Sequence, residues 1–372
     1  MENDWINIDI AATSVVVDDV GRYWIWDQKH SEIGYFSGDI YKFHVEGRYA
    51  ELPFCFQGLD MYLRENVIFI ISKSRIEVLT FDITERTFQM YCANICQQSS
   101  QYYSYRKNDK KIMFVPSEMK ASCIEFDMDK KDFKEKHVIS ENTYVENMIW
   151  RLEDCNENVL IPVLHTGDIL ILNKEKCSYK RITFPYSQDI QCICEGKNHE
   201  IWASVCNRKE LIRYFDGNEE RIQLDENEKV NEPFSKLMYY QDKVIALPRY
   251  AKNIYIYDTL EKHIQKVNLT ENIDIPPGTA SLMWEGFIRQ NKLICLPWRY
   301  PVVCEIDLNS CQCHYEKVKM NAKDYFKRIC GEFSIEYDDI GLEHFIRFSD
   351  FTKKNLVEKD KKIGMNIWDK MK

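Results

Sequence analysis

One unit recurs along the chain. It reads DKVIALPRYAKNIYIYDTLEKHIQKVNL from Asp242, NKLICLPWRYPVVCEIDLNSCQCHYEKV from Asn291 and KKIMFVPSEMKASCIEFDMDKKDFKEKHVI from Lys110. Each copy has a polar turn, an apolar strand, a short turn, a second strand ending in Asp, another turn and a third strand. The first strand residue falls at Val67, Ile112, Val159, Ile201, Val244 and Leu293, with spacings of 45, 47, 42, 43 and 49. The acid or amide that closes the next strand falls at Asp82, Asp127, Asn173, Asp216, Asp258 and Asp307, each 14 or 15 positions after its anchor. A further anchor at Tyr23 opens an irregular unit around RYWIWDQKHSEIGYFSGD.

A short apolar stretch precedes each regular anchor: MYL at Met61, YYSY at Tyr102, MIW at Met148, QCIC at Gln191, LMYY at Leu237 and LMW at Leu282. The unit therefore holds four short strands in about 45 residues, the signature of a propeller blade. A single such sheet cannot cover its own faces, so blades stack around a ring and cover each other. The expected fold is all-β, a β-propeller of seven four-stranded blades, with six as the alternative because the first unit is irregular. Residues 1–13 are expected to form an N-terminal extension, 14–318 the propeller, and 319–372 a partly helical C-terminal extension.

In architecture the units resemble the broad kelch-like and WD-like propeller repeats over roughly residues 14 to 318. The Gly-Gly pair of kelch units is absent, and the pairs Trp26–Asp27 and Trp368–Asp369 are not periodic. The resemblance implies the fold alone; no catalytic residue can be carried over from it.

Composition bounds the rest. Fifty basic against 59 acidic residues leave a net charge of −9, which argues against nucleic-acid binding through the whole surface. No run approaches eighteen apolar residues, and the N-terminus carries acids where a signal peptide carries Lys or Arg. A cytoplasmic protein without a membrane partner is expected, its fourteen Cys reduced. Cys192 and Cys194 share one strand face, as do Cys311 and Cys313. Their spacings are not those of a zinc knuckle, and buried thiols are the expected state. No phosphate loop, nucleophile elbow or HExxH occurs, so no cofactor, metal or catalytic residue is assigned.

Let the strands of a blade be A to D from the inside out. Antiparallel pairing puts the B–C turns and D–A connections on one side of the ring and the A–B and C–D turns on the other. The B–C turns carry Lys73 and Arg75, Lys120, His165, Arg208, Arg249 with Tyr250, and Trp298, Arg299 and Tyr300. These form the candidate ligand site, because Arg suits carboxylate and phosphate and aromatic rings flank it. The expected function is a non-catalytic binding or scaffold propeller. It would hold an unidentified protein segment, or an anionic small molecule or glycan, on this face. The alternative is a hydrolase or lyase acting on a carbohydrate-like substrate at the channel mouth. In the tail, Asp338 and Asp339 are positioned to cap a helix, and Ile363, Ile367, Trp368 and Met371 fall on one helical face. Ile367, Trp368 and Met371 are a candidate docking surface, or pack at home.

Overall fold

The structure is a computed structural model. It describes residues 5–49, 58–72, 75–94, 101–117, 122–136, 152–155, 157–163, 166–175, 178–184, 189–224, 232–269, 283–297, 302–325 and 328. The chain forms two units: Ile8–Val318, and Met1–Asn7 together with Lys319–Lys372. In the second of these, Trp5–Asn7 pairs antiparallel with Lys319–Asn321, and a helical turn follows at 322–325. The tail helices expected around 338–346 and 363–371, with Ile367, Trp368 and Met371, lie outside the described residues. Among the described residues no helix is long and apolar enough to cross a membrane.

Ile8–Val318 is a propeller of seven four-stranded antiparallel blades in chain order, so the seven-blade count holds over six. The irregular first unit is a full blade: Ala12–Val17, Tyr23–Asp27, Glu32–Phe36 and Lys42–Arg48. Its C strand ends at Phe36, and Ser37 and Gly38 stand 14 and 15 positions after Tyr23 where the other units have Asp or Asn, which is why its pattern is blurred in sequence. The second blade is typical of the rest, with strands Gly58–Arg64, Val67–Ser72, Glu77–Asp82 and Thr87–Cys92. The fourth differs from expectation: its described A strand is Glu153–Asp154, and the stretch at Met148 lies outside the described residues.

The recurring Asp has a local cause. In four blades its carboxylate Oδ1 accepts two backbone N–H groups of the C–D turn. Asp82 caps Thr84 and Glu85, Asp127 caps Asp129 and Lys130, Asp258 caps Leu260 and Glu261, and Asp307 caps Asn309 and Ser310, all at 2.8–3.0 Å. Each turn closes on a left-handed residue, Arg86, Lys131, Lys262 or Cys311, with φ between 52° and 56°. The constant offset is therefore a register: Val67 faces Asp82, and the residue before the anchor faces the Asp in three more blades (Lys111–Asp127, Lys243–Asp258, Lys292–Asp307). Asp216 departs from the pattern. Its strand ends at Phe215, and Asp216 and Gly217, both at positive φ, form a two-residue hairpin turn instead. Cys311 likewise lies in a turn, so it does not share a strand with Cys313.

Period-two alternation builds the core. B strands are apolar at most positions, with Lys, Asn, Ser or Asp mainly at their ends, because both faces are covered. Ile68 and Ile70 pack on Trp24, Trp26 and Ile33 of the first blade, while Phe69 and Ile71 pack on Phe114, Ile124 and Phe126 of the third. The sixth blade repeats this: Val244 and Ala246 join Trp202 and Leu211, whereas Ile245 and Leu247 join Leu293 and Cys295. Each such side chain contributes roughly 1.5–3 kcal/mol of burial, so stability is distributed over the blade interfaces.

Candidate functional site

The A strands line a central channel. In five blades a bulge interrupts the first pairs of this strand: between Ala12 and Val15, Gly58 and Asp60, Ile190 and Cys192, Phe234 and Lys236, and Met283 and Glu285. A bulge adds an unpaired residue and re-aims its neighbours. At or just beyond this level stand Ser14, Asp60, Ser104, Lys236 and Glu285.

These side chains tie one blade to the next. Ser104 Oγ donates to Asp60 at 2.6 Å, and Tyr62 Oη lies 3.2 Å from the same hydroxyl. The Met61 N–H donates to Ser14 Oγ at 3.1 Å, and Thr13 Oγ1 to the Gly58 carbonyl at 2.6 Å. Lys236 pairs with Glu285, which also accepts the Gly286 N–H. Burial, with Asp60 nearby, pushes the Tyr62 phenol well above its ordinary range.

Two cavities follow one another along the channel and share Glu153, Asp154, Lys236, Gly286 and Phe287. The first, of about 430 Å³, lies between the polar A-strand residues and Arg249, and is of a size that takes small ligands. The second, of about 770 Å³, lies towards the A–B side, where Glu157, Glu195 and His199 join its wall. His199 Nδ1 sits 2.7 Å from Glu195, which raises its pKa through that hydrogen bond. Beside the channel, the buried Gln191 amide has no hydrogen-bond partner among the described residues and borders a void of about 10 Å³, room for one water.

Of the ten candidate residues, four are described. Arg249 lines the first cavity; its guanidinium is held by Glu232 at 3.0 Å and lies 5.3 Å from the Tyr250 ring centroid. Tyr250 is exposed. Arg75 and Arg208 do not line this cavity; each sits 3.6 Å from a carboxylate two positions on, Glu77 and Glu210. Lys73, Lys120, His165, Trp298, Arg299 and Tyr300 lie outside the described residues. The sequence reading missed Asp60, Ser104, Lys236 and Glu285. Their signal is a polar residue seven or eight positions before the anchors Val67, Ile112, Val244 and Leu293.

One group has the donor types of a metal site. Asp27, His30 and Glu32, in the first B–C turn, bring ligand atoms within 4.8 Å of one another. The Asp27 carboxylate is already engaged as a turn cap: it accepts the Ala11 and Lys29 N–H groups at 3.0 and 3.1 Å and meets His30 Nδ1 at 2.7 Å. Cys192 and Cys194 are buried between the fifth and sixth blades, as expected of thiols on one strand face, and burial pushes the Cys194 thiol far up.

Fold and channel together define a seven-bladed β-propeller with a polar central site. No family model matches the chain, and no curated protein does. Among solved structures it is similar to a catalytically inactive virginiamycin B lyase from Staphylococcus aureus with quinupristin, at 12% identity and TM-score 0.61, covering 79% of this chain and 95% of that one. It is similar to YCF48 bound to D1 peptide, at 10% identity and TM-score 0.60, covering 80% and 93%. RRP9 WD40 repeats match at 11% and 0.54, covering 79% and 90%. At these identities the likeness is one of fold.

Proposed function

We propose that the propeller is a binding module that receives a protein segment or an anionic polar ligand at the B–C mouth of its channel. Arg249 and Tyr250 form the rim of this site. The observation that carries the reading is the position of Arg249 on the cavity wall, braced by Glu232. A braced guanidinium is already oriented, and its planar fork suits a carboxylate or phosphate. The fold of YCF48, which holds a peptide, supports a protein segment as occupant.

A second reading, a channel enzyme, is favoured by four carboxylates on the cavity wall, Asp60, Glu153, Asp154 and Glu285, and by the lyases of similar fold. Asp60 is engaged by Ser104, Asp154 by Lys174 and Glu285 by Lys236. That engagement favours binding over proton transfer.

The test is a peptide array probed with the full chain, followed by titration of the best binder. Arg249→Gln and Tyr250→Ala are expected to weaken it at least tenfold while circular dichroism stays unchanged. Unaltered affinity in both variants overturns the site assignment. Turnover of a bound ligand that Asp60→Asn abolishes moves the assignment to the enzyme.

A further inference from the structure

In the first blade the B strand ends on Asp27 and the C strand begins on Glu32, and the two are direct cross-strand partners. Directly opposed residues share a face of the sheet, and like charges placed so repel. Both are buried, Asp27 at 0% exposure and Glu32 at 2%. Two carboxylates buried side by side need a positive counter-charge, or one of them stays protonated. His30 reaches the pair from the turn that joins them. Its N–H donates to the Asp27 carbonyl at 3.3 Å, Ser31 closes the turn at φ 53°, and the imidazole Nδ1 lies 2.7 Å from Asp27 Oδ2. One ligand atom from each of the three side chains falls within 4.8 Å of the other two.

We propose that Asp27, His30 and Glu32 bind a divalent ion of the zinc type in the first B–C turn. One imidazole nitrogen with two carboxylate oxygens is a donor set that suits Zn²⁺, and the two charges of the ion match those of the carboxylates. Ligand atoms bonded to a tetrahedral zinc ion at about 2.0–2.2 Å lie about 3.4 Å apart. The three atoms are thus spaced on the scale of one coordination shell, and Nδ1 needs to move only about 0.7 Å from Oδ2 as the ion takes the place of the proton between them. Asp27 is already oriented for this. Its Oδ1 accepts the Ala11 and Lys29 N–H groups at 3.0 and 3.1 Å, while Oδ2 faces His30. A ligand fixed through its other polar atom is a recurring feature of metal sites. Entry is from the His30 side, where the imidazole is 11% exposed and Lys29 is exposed. Water completes a shell of three protein ligands. The site stands apart from the two channel cavities, whose described walls do not include these residues. Its role is structural: the ion pins the B and C strands to each other and, through the Ala11 N–H, to the segment that enters the blade.

The experiment strips the full chain with a chelator, keeps it reduced with a phosphine, and titrates it with Co²⁺ as an optical probe, then with Zn²⁺ as competitor. The expected result is one saturable Co²⁺ per chain with d–d absorption and no thiolate-to-cobalt charge-transfer band, displaced by one equivalent of Zn²⁺. The missing thiolate band separates this site from the fourteen cysteines. His30→Ala and Glu32→Gln should each weaken Co²⁺ binding at least tenfold with circular dichroism unchanged. Lys29→Ala, next to the site but outside the ligand set, should leave binding as it is. Asp27 is left intact because it also caps the turn. No saturable uptake by the wild-type chain, uptake that carries a thiolate band, or uptake unchanged in His30→Ala overturns the proposal. Loss in His30→Ala with full affinity in Glu32→Gln would assign Glu32 to Arg48, its cross-strand partner on the D strand, and overturns the three-ligand site.

Discussion

The ring of Tyr23 stacks on that of Phe287, centroids 4.7 Å apart and planes 20° from parallel. These residues belong to the first and last blades, more than 260 positions apart in the chain. The Arg289 guanidinium lies 5.0 Å from the Tyr23 ring centroid, and Tyr41 meets His314 edge-on at 5.6 Å. Within Ile8–Val318 every blade is one continuous segment, so these rings help close the circle without an exchanged strand.

Removing the stack should open that seam. Tyr23→Ala and Phe287→Ala are each expected to lower unfolding free energy by about 2–4 kcal/mol. A double-mutant cycle measured by urea denaturation should return a coupling of about 0.5–1.5 kcal/mol. Additive effects would place the ring closure elsewhere.

Acid should unfold the protein through a few tied carboxylates. For Asp168 burial opposes ionisation, yet hydrogen bonds from Arg181 and Thr183 outweigh it and hold its pKa below the ordinary 3.8. Asp127 is lowered by the Lys130 and Asp129 N–H groups of its turn. A pKa depressed on folding gives stability that is present above the unfolded value and lost as pH falls through the folded one. Melting temperature should therefore be level down to about pH 4 and fall below it. Asp168→Asn should cost about 1–2 kcal/mol at pH 7, discounted for the half-exposed Arg181, and flatten the acid limb.

Gly34 sits where two neighbouring strands nearly touch. A Cβ there meets the His44 carbonyl oxygen, and the Phe43 ring at 2.6 Å. The pairing also shifts register between Ile33 and Gly34. Gly34→Ala is expected to destabilise the first blade by about 1–3 kcal/mol, seen as a lower thermal midpoint and early loss of amide protection in 32–48. An unchanged midpoint would mean that the bulge absorbs the methyl group.

Gln191 keeps an amide in the core at the cost of stability. Replacing it with Met, of similar volume, removes two unsatisfied polar atoms and should raise stability by about 1 kcal/mol. Differential scanning calorimetry reads this directly. A fall in stability would show that the amide is satisfied by water in the adjoining void.

The seven units, their four strands and the turn-capping Asp residues are all written in the chain, because each depends on local chemistry. Alternation of apolar residues makes the strand, and a carboxylate two or three positions before bare N–H groups makes the turn. Where the local chemistry varies, the reading blurs: Ser37 and Gly38 in place of the turn-capping acid after Phe36 made the first blade irregular, and a two-residue Asp216–Gly217 turn mimicked a capped one. The candidate site was legible only in part. Turn order put Arg249, Arg75 and Arg208 in one set, but of these three Arg249 lines the cavity and Arg75 and Arg208, cations of the same type, do not. Which residues converge was decided by the ring. Asp60, Ser104, Lys236 and Glu285 come from four blades and meet because the A strands all face one axis, with bulges beside Asp60, Lys236 and Glu285. Stacking blades into a circle fixes that convergence, which requires a paired register that sequence spacing alone does not specify.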